Sequence, residues 1–300
     1  SQPYENTLGM KFVRLPGTQT LIAIHETRRR DYAAYATANP RVNSNWQNAE
    51  RNGFPVGHGW DHPVVCVNWY EAKAFCDWLS QKEGVRYRLP TDREWSIAAG
   101  ISDLEPAALL TPEELGLMNP NIYTWGSQWP PPPRVGNLND TAHYHAFHID
   151  PKPEYTDGYA TTSPVMSFKP NQLGMYDLSG NVWEWCEDWF NEQHVQRVLR
   201  GCHFGDIKLK YSPASCRTSR IPTARLLCDG FRCVIDLSAA ETTPSPAPEA
   251  KAALPLPAHL TTPHENSLGM KFVHLPGTRI QMGIHEVRRQ DYATYAETSS

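Results

Sequence analysis

One stretch of this chain occurs twice. Residues 5–17 read ENTLGMKFVRLPG and residues 265–277 read ENSLGMKFVHLPG, and IHETRRRDYAAYA at 24–36 returns as IHEVRRQDYATYA at 284–296. Without a gap, 22 of the 32 pairs from 5/265 to 36/296 are identical, at an offset of 260 residues. That offset is too long for a solenoid unit and suits the repetition of a whole domain. Between the copies, residues 238–263 are rich in Pro and Ala without apolar periodicity, which predicts a semi-extended spacer. The reading is a complete domain over 1–237, a linker over 238–263, and over 264–300 the opening of a second copy that stops before it can close a core. On that reading the sequence is a fragment.

Composition narrows the class. Lys+Arg 28 against Asp+Glu 32 gives a net charge of −4, which excludes the basic footprint of a nucleic-acid binder. No apolar run approaches the roughly 20 residues of a membrane span. With 26 Pro, 19 Gly and 10 Trp the chain suits a loop-rich fold pinned by aromatic anchors. Its seven cysteines form no CxxC pair, so a zinc ribbon or thioredoxin-like site is unsupported.

Local signals predict few helices. Asn68 and Glu71 make a capping box before a helix to Lys82, with Ala72, Phe75, Cys76 and Leu79 on one face. Thr91 and Glu94 make another, with Trp95 and Ala98 facing inward. A third helix is predicted from Thr27 to Ala38, with Tyr32 and Tyr35 inside, and the Arg28-Arg29-Arg30 run reads as its solvated start. Short strands are predicted over 10–15, 20–25, 182–189, 197–204 and 230–236. Between Gly100 and Ser163 periodicity is scarce, and Trp129 followed by four prolines fits neither helix nor central strand. The expected class is α+β: few helices, short antiparallel strands and long irregular loops.

Several segments match one family in order. Asp61–Trp69 (DHPVVCVNW) resembles HPVxxVxW, and Arg88–Trp95 (RLPTDREW) resembles RLPTExEWE. Tyr123–Gly126 (YTWG) resembles YPWG, and Asn171–Trp185 (NQLGMYDLSGNVWEW) resembles NxxGLYDMxGNVWEW. Val198–Gly201 (VLRG) and Gly230–Cys233 (GFRC) resemble the closing VLRGG and GFRxx strands. Together they resemble the formylglycine-generating enzyme (sulfatase-modifying factor) family over about residues 5–235. The resemblance implies a variant of the C-type lectin fold, although a fold alone confers no activity.

The family's enzymes oxidise a substrate cysteine to formylglycine with O₂, using two cysteines spaced C-x4-C after the VLRGG strand. Two close soft thiolates hold Cu(I) and exchange with a substrate thiol. Here those positions fall at Asp206 and Tyr211, and neither supplies a thiolate. Cys202 lies four positions early, and Cys228 and Cys233 have the spacing but sit at the closing strand. A rearranged loop presenting Cys202 or Cys228 would keep an oxidase alive. The resemblance pairs Cys76 with Cys233 as a disulfide, and Cys186 with Cys202 is a second candidate pair. Cys66 stands where the family often has His and reads as a buried thiol. Such bridges place the chain in an extracytoplasmic compartment, periplasmic or secreted; the alternative is seven reduced thiols in the cytosol. No export signal is visible in the sequence.

The resemblance also implies structural Ca²⁺, which takes six to eight hard oxygens. One set is the side chains of Asp177 and Glu184 with the carbonyls of Gly180 and Val182. The other is the side chains of Asn137 and Asp157 with the carbonyls of Leu138 and Tyr159. The competing reading is that Asp177 and Asn137 only close Asx-turns. His143, His145 and His148 could bind a transition metal or be scattered loop histidines. The tryptophans at 125, 129, 183, 185 and 189 are core or loop anchors, any of which could line a cleft.

Three functions follow. The first is a family domain that has lost its thiol pair and binds a protein, peptide or glycan ligand, with tandem copies raising effective concentration. The second is an active formylglycine-generating oxidase using O₂ and copper. The third is a structural ectodomain in tandem.

Overall fold

The computed structural model describes residues 2–106, 110–118, 121–148, 155–206 and 213–238, and the strand backbone at 264–265, 271–274 and 281–283. The chain divides into two units, Ser1–Glu241 and Thr242–Ser300. In the first, β1 (Tyr4–Glu5), β2 (Lys11–Arg14) and β3 (Thr20–Ala23) lead into α1 (Arg29–Ala38). A small hairpin of β4 (Glu50–Arg51) and β5 (Phe54–Pro55) precedes α2 (Trp69–Glu83), β6 (Arg86–Arg88) and α3 (Asp92–Ala99). Two short helices, α4 (Pro112–Leu115) and α5 (Thr141–Phe147), punctuate the loop region. The unit closes with β7 (Trp183–Trp189), β8 (Arg197–Arg200), β9 (Arg217–Arg220), β10 (Asp229–Gly230) and β11 (Val234–Asp236).

The capping boxes set the helix starts. Asn68 accepts from the Glu71 amide and Glu71 reaches back to the Asn68 amide, and Thr91 and Glu94 do the same for α3. Both helices stop on left-handed glycines, Gly84 and Gly100, which need no Cβ clearance. The helix predicted from Thr27 begins later, at Arg29, and its first arginine is not solvated. Arg28 is buried, forking the Asp31 carboxylate through Nε and Nη2, both at 2.9 Å.

Two sheets carry the unit. One has the order β1-β2-β3-β11-β6, so the last strand pairs between the first hairpin and the strand after α2. The other has the order β10-β7-β8-β9, and its β10–β7 pair is parallel, Gly230 opposite Glu184, where only antiparallel strands were expected. The strand expected over 197–204 ends at Arg200, because Gly201 and Cys202 take φ of 97° and 67° and turn the chain out of the ladder. Around α2 the rings of Tyr32, Phe75 and Phe231 pack together, Tyr32 stacked on Phe75 at 5.9 Å. A second cluster gathers Trp95, Ile22, Leu178, Val198 and Val234.

In the second unit, β12 (His264–Glu265), β13 (Lys271–His274) and β14 (Gln281–Gly283) form one antiparallel sheet. Its register repeats that of β1–β3: His264 opposes Phe272 as Tyr4 opposes Phe12, and Val273 opposes Met282 as Val13 opposes Ile22. The spacer, apart from Ser238, lies outside the described residues.

Candidate functional site

The loop after β8 is where the family's thiols would stand. Arg200 anchors its start, fully buried, with Nη1 2.6 Å from Asp92 Oδ1 and its guanidinium over the Trp95 ring. The left-handed Cys202 then turns its side chain into the core, 2% exposed. Asp206 folds back on His203: it accepts the His203 amide at 2.8 Å, and Oδ1 lies 3.2 Å from Nε2. The Gly205 amide donates to His203 Nδ1 at 3.0 Å, which leaves Nε2 to carry the ring proton toward Asp206. The turn is closed by its own hydrogen bonds. Tyr211 lies outside the described residues.

Cys66, Cys76, Cys186, Cys202, Cys228 and Cys233 are free thiols. Cys76 Sγ and Cys233 Sγ, the pair implied by the resemblance, are neighbours at 3.6 Å, beyond the ~2.05 Å of a bond. Cys186 and Cys202 are not a pair. Cys202 lies past the end of β8 and packs in the cluster of Trp183, Trp185 and Leu199, whereas Cys186 packs in the separate cluster of Trp95 and Val198. Burial pushes the Cys66 thiol up to about 11 and raises those of Cys202 and Cys228 as well, with Asp206 adding to the effect at Cys202 and Asp229 at Cys228. A thiolate in any of these places would lose its hydration; Arg200 near Cys202 and Arg220 near Cys228 offset that loss only in part.

The two implied calcium sets lie in loops that touch. In the first, Asp177 Oδ2 accepts the Met166 amide at 2.8 Å while Oδ1 is buried without a partner. Burial pushes the Asp177 carboxyl up to about 6. Glu184 is engaged: Arg232 donates to both its oxygens, each at 2.6 Å, and Trp95 Nε1 donates to Oε2 at 3.0 Å. The Gly180 amide donates to Gly201 O, and the Val182 amide donates to Glu26 Oε1.

Glu26 was not singled out from sequence. It is fully buried, and burial, with Asp177 and Glu184 close by, holds its carboxyl well above the usual range. Its only signal was an acid just before a helix start, which reads as an ordinary exposed first-turn residue.

In the second set, Asp157 accepts the Leu138 and Tyr159 amides, each at 2.9 Å, and burial pushes it up to about 7. Its bond to Tyr159, two residues on, is an Asx-turn. Asp140, at the start of α5, accepts the amides of Asp157 and Gly158 and so ties the two halves of the loop. Asn137 Nδ2 donates to Thr161 O, while its Oδ1 is buried without a partner. Among the described residues no three His, Cys, Asp or Glu side chains gather as for a metal ion. Each loop keeps one unpartnered buried oxygen, Asn137 Oδ1 and Asp177 Oδ1, hard donors of the kind calcium uses.

The three histidines do not converge. His143 is buried, Nδ1 on Ala160 O at 2.7 Å and Nε2 without a partner, whereas His145 and His148 are exposed. Trp183 and Trp185 belong to the core. Trp189 lies against the Arg197 guanidinium at 3.4 Å, and Trp129 is exposed. Trp125 stacks on Tyr123 at 4.8 Å, and both line a cleft of about 920 Å³ with Ile97, Ile101, Leu173 and Arg93.

Comparison with known proteins agrees with this layout. The sequence profile of the sulfatase-modifying factor enzyme 1-like domain matches residues 11–237. The formylglycine-generating enzyme of Thermomonospora curvata is 30% identical over 213 residues, 64% of this chain and 61% of that protein. The inactive C-alpha-formylglycine-generating enzyme 2 of Bos taurus is 32% identical over 164 residues, 54% of this chain and 44% of that protein. The chain spans about half to three fifths of the formylglycine-generating enzymes it matches. Among solved structures, PvdO from Pseudomonas aeruginosa shares the fold with a TM-score of 0.52 at 23% identity, over 77% of this chain and 82% of that one. Treponema denticola variable protein 1 gives 0.51 at 19% identity, over 78% and 94%. The fold is the formylglycine-generating-enzyme-like variant of the C-type lectin fold, and the chain belongs to the sulfatase-modifying factor enzyme 1-like family.

Proposed function

We propose that this domain has given up cysteine-dependent oxidation and serves as a ligand-binding module. The observation that carries the reading is Asp206: a carboxylate at the first thiol position, closed onto His203 by two contacts. No cysteine compensates, since Cys202 is buried in the core and the Cys228 thiol is held up by burial beside Asp229. The relative named as inactive favours the same reading. The test incubates the full chain with a CxPxR peptide, copper and O₂ and seeks the aldehyde by mass spectrometry. Unchanged peptide is the expected result, and turnover above a no-protein control would restore the oxidase.

The binding face of this reading is the cleft at Tyr123 and Trp125, and its ligand is a protein segment, peptide or glycan. Two copies joined by a proline-rich spacer would raise the effective concentration of the second contact. Structural calcium belongs to the same proposal, with Asn137, Leu138, Asp157 and Tyr159 in one loop and Asp177, Gly180, Val182 and Glu184 in the other. An extracytoplasmic setting, where Cys76 and Cys233 would oxidise, completes it. Calcium should raise the melting temperature of chelator-treated protein, and an unchanged melt would remove calcium from the proposal.

A further inference from the structure

The two candidate calcium loops share one residue that belongs to neither ligand set. Asn181 sits between Gly180 and Val182, whose carbonyls serve the first set, with φ of 64°. Its amide donates to Asn137 O at 2.8 Å, and its side-chain Oδ1 accepts from Asn137 Nδ2 at 3.1 Å. The same Oδ1 accepts the Ser163 amide at 2.9 Å, and Nδ2 donates to Glu26 Oε2 at 2.6 Å. Asn181 therefore holds both the main chain and the amide of Asn137, the residue whose Oδ1 is left for the second loop.

The contact leaves no slack. A Cβ on Gly180 would run into the Asn137 carbonyl, and one on Gly136 into the Ser179 carbonyl. Two backbones this close move together, because neither can shift without breaking the Asn137–Asn181 bonds.

We propose that Asn181 couples the two cation loops, so that filling one pre-orders the other and calcium binds cooperatively. The inference rests on the calcium reading above and adds a mechanism to it. Ordering the Gly180 and Val182 carbonyls around an ion fixes Asn181 between them. A fixed Asn181 holds the Asn137 amide with Nδ2 bonded away, leaving Oδ1 free for the second loop. The ordering cost common to both loops is then met once, which is positive coupling.

The test is calorimetric titration of the full chain, stripped with chelator, using CaCl₂. Asp157→Ala and Asp177→Ala each remove the side-chain oxygens of one loop and report the affinity of the other alone. Coupling requires the product of the two association constants in the unmodified chain to exceed the product of the single-loop constants about fivefold or more. Asn181→Gly keeps the left-handed backbone and its amide while removing the side-chain bridge; there the excess should vanish while both loops still bind.

An excess near one overturns the coupling and leaves the calcium reading intact. An excess that survives in Asn181→Gly removes Asn181 as the coupler. No calcium heat in the unmodified chain overturns both readings together. The comparison of the unmodified chain with the single-loop variants needs no change at Asn181 and decides whether the loops couple; should Asn181→Gly not fold, Asn181→Ser, too short to keep the bridge to Asn137 Nδ2, decides the part of Asn181.

Discussion

Arg232 grips Glu184 with two donors, each 2.6 Å from a carboxylate oxygen, and water reaches neither side chain. The parallel pairing of Gly230 with Glu184 brings them face to face. Glu26 and Asp177 also act on the same guanidinium. Removing either partner is therefore not symmetrical. Arg232→Met strips the positive charge from three buried carboxyls and should destabilise the chain by about 3–5 kcal/mol. Glu184→Gln leaves Arg232 with two other acids nearby and should cost clearly less. Urea unfolding of both variants checks the order, and equal losses would mean that the acids do not share Arg232.

Cys76 and Cys233 should join when the protein is oxidised. Their sulfurs are already in contact, and the bond would close a loop between residues 157 apart. In the chain-entropy model such a loop is worth on the order of 5 kcal/mol, less any strain. Peptide mapping without reduction should find the Cys76–Cys233 linked pair and no Cys186–Cys202 pair, with a higher melting temperature than under dithiothreitol. A Cys186–Cys202 link would contradict the placement of the two cysteines in separate core clusters.

His25 should make the protein acid-sensitive. It is buried with Nδ1 against Glu26 O at 2.7 Å, and burial lowers its pKa from 6.5 to about 4. The folded state thus binds the His25 proton less readily than the unfolded chain. This contribution is fully present above pH 6.5, falls as pH drops, and is gone below about pH 4. A shift of that size corresponds to roughly 3 kcal/mol. Denaturant midpoints between pH 7 and 4 should fall more steeply in the unmodified chain than in His25→Gln. Parallel slopes would show that His25 is not the group responsible.

The elements legible in the sequence were those whose causes are local. The boxes at Asn68 and Thr91 and the inward tyrosines of α1 are set by neighbours three or four residues away, and the structure keeps them. What depended on long-range contact was not legible. Arg28 reads as solvated because its burial comes from the Leu8–Gly9 turn, whose carbonyls it reaches. Glu26 owes its role to Asn181 and Val182, about 155 residues later. Cys186 and Cys202 are not neighbours because the chain leaves the ladder at Gly201 and carries Cys202 into a different core cluster, a turn that adjacent residues do not announce. The parallel β10–β7 pair was hidden because two-residue strands carry no periodicity. The assignment of the thiol positions to Asp206 and Tyr211 rests on the VLRG motif alone, which fixes the start of the loop.

That last point can be turned into a gain of function at the metal. If the fold is intact and only the sulfur ligands are missing, Asp206→Cys with Tyr211→Cys should create a Cu(I) site that the unmodified chain lacks. Asp206 is half-buried beside His203 and free of any other ion pair among the described residues, so its replacement removes its two side-chain contacts to His203 and no fully buried charge pair. Those two half-exposed contacts together are worth about 1–3 kcal/mol, which the fold should tolerate. Two thiolates at this spacing suit a soft monovalent ion and should bind it far more tightly than Asp206 and a phenol can. Competition with a bicinchoninate–Cu(I) complex would measure it, with Asp206→Cys alone as the single-thiol reference. Tight binding by the double variant only would show that the scaffold still presents the site. Binding no tighter than the single variant would show that the loop itself, and not merely its two side chains, has departed from the geometry a thiol pair needs.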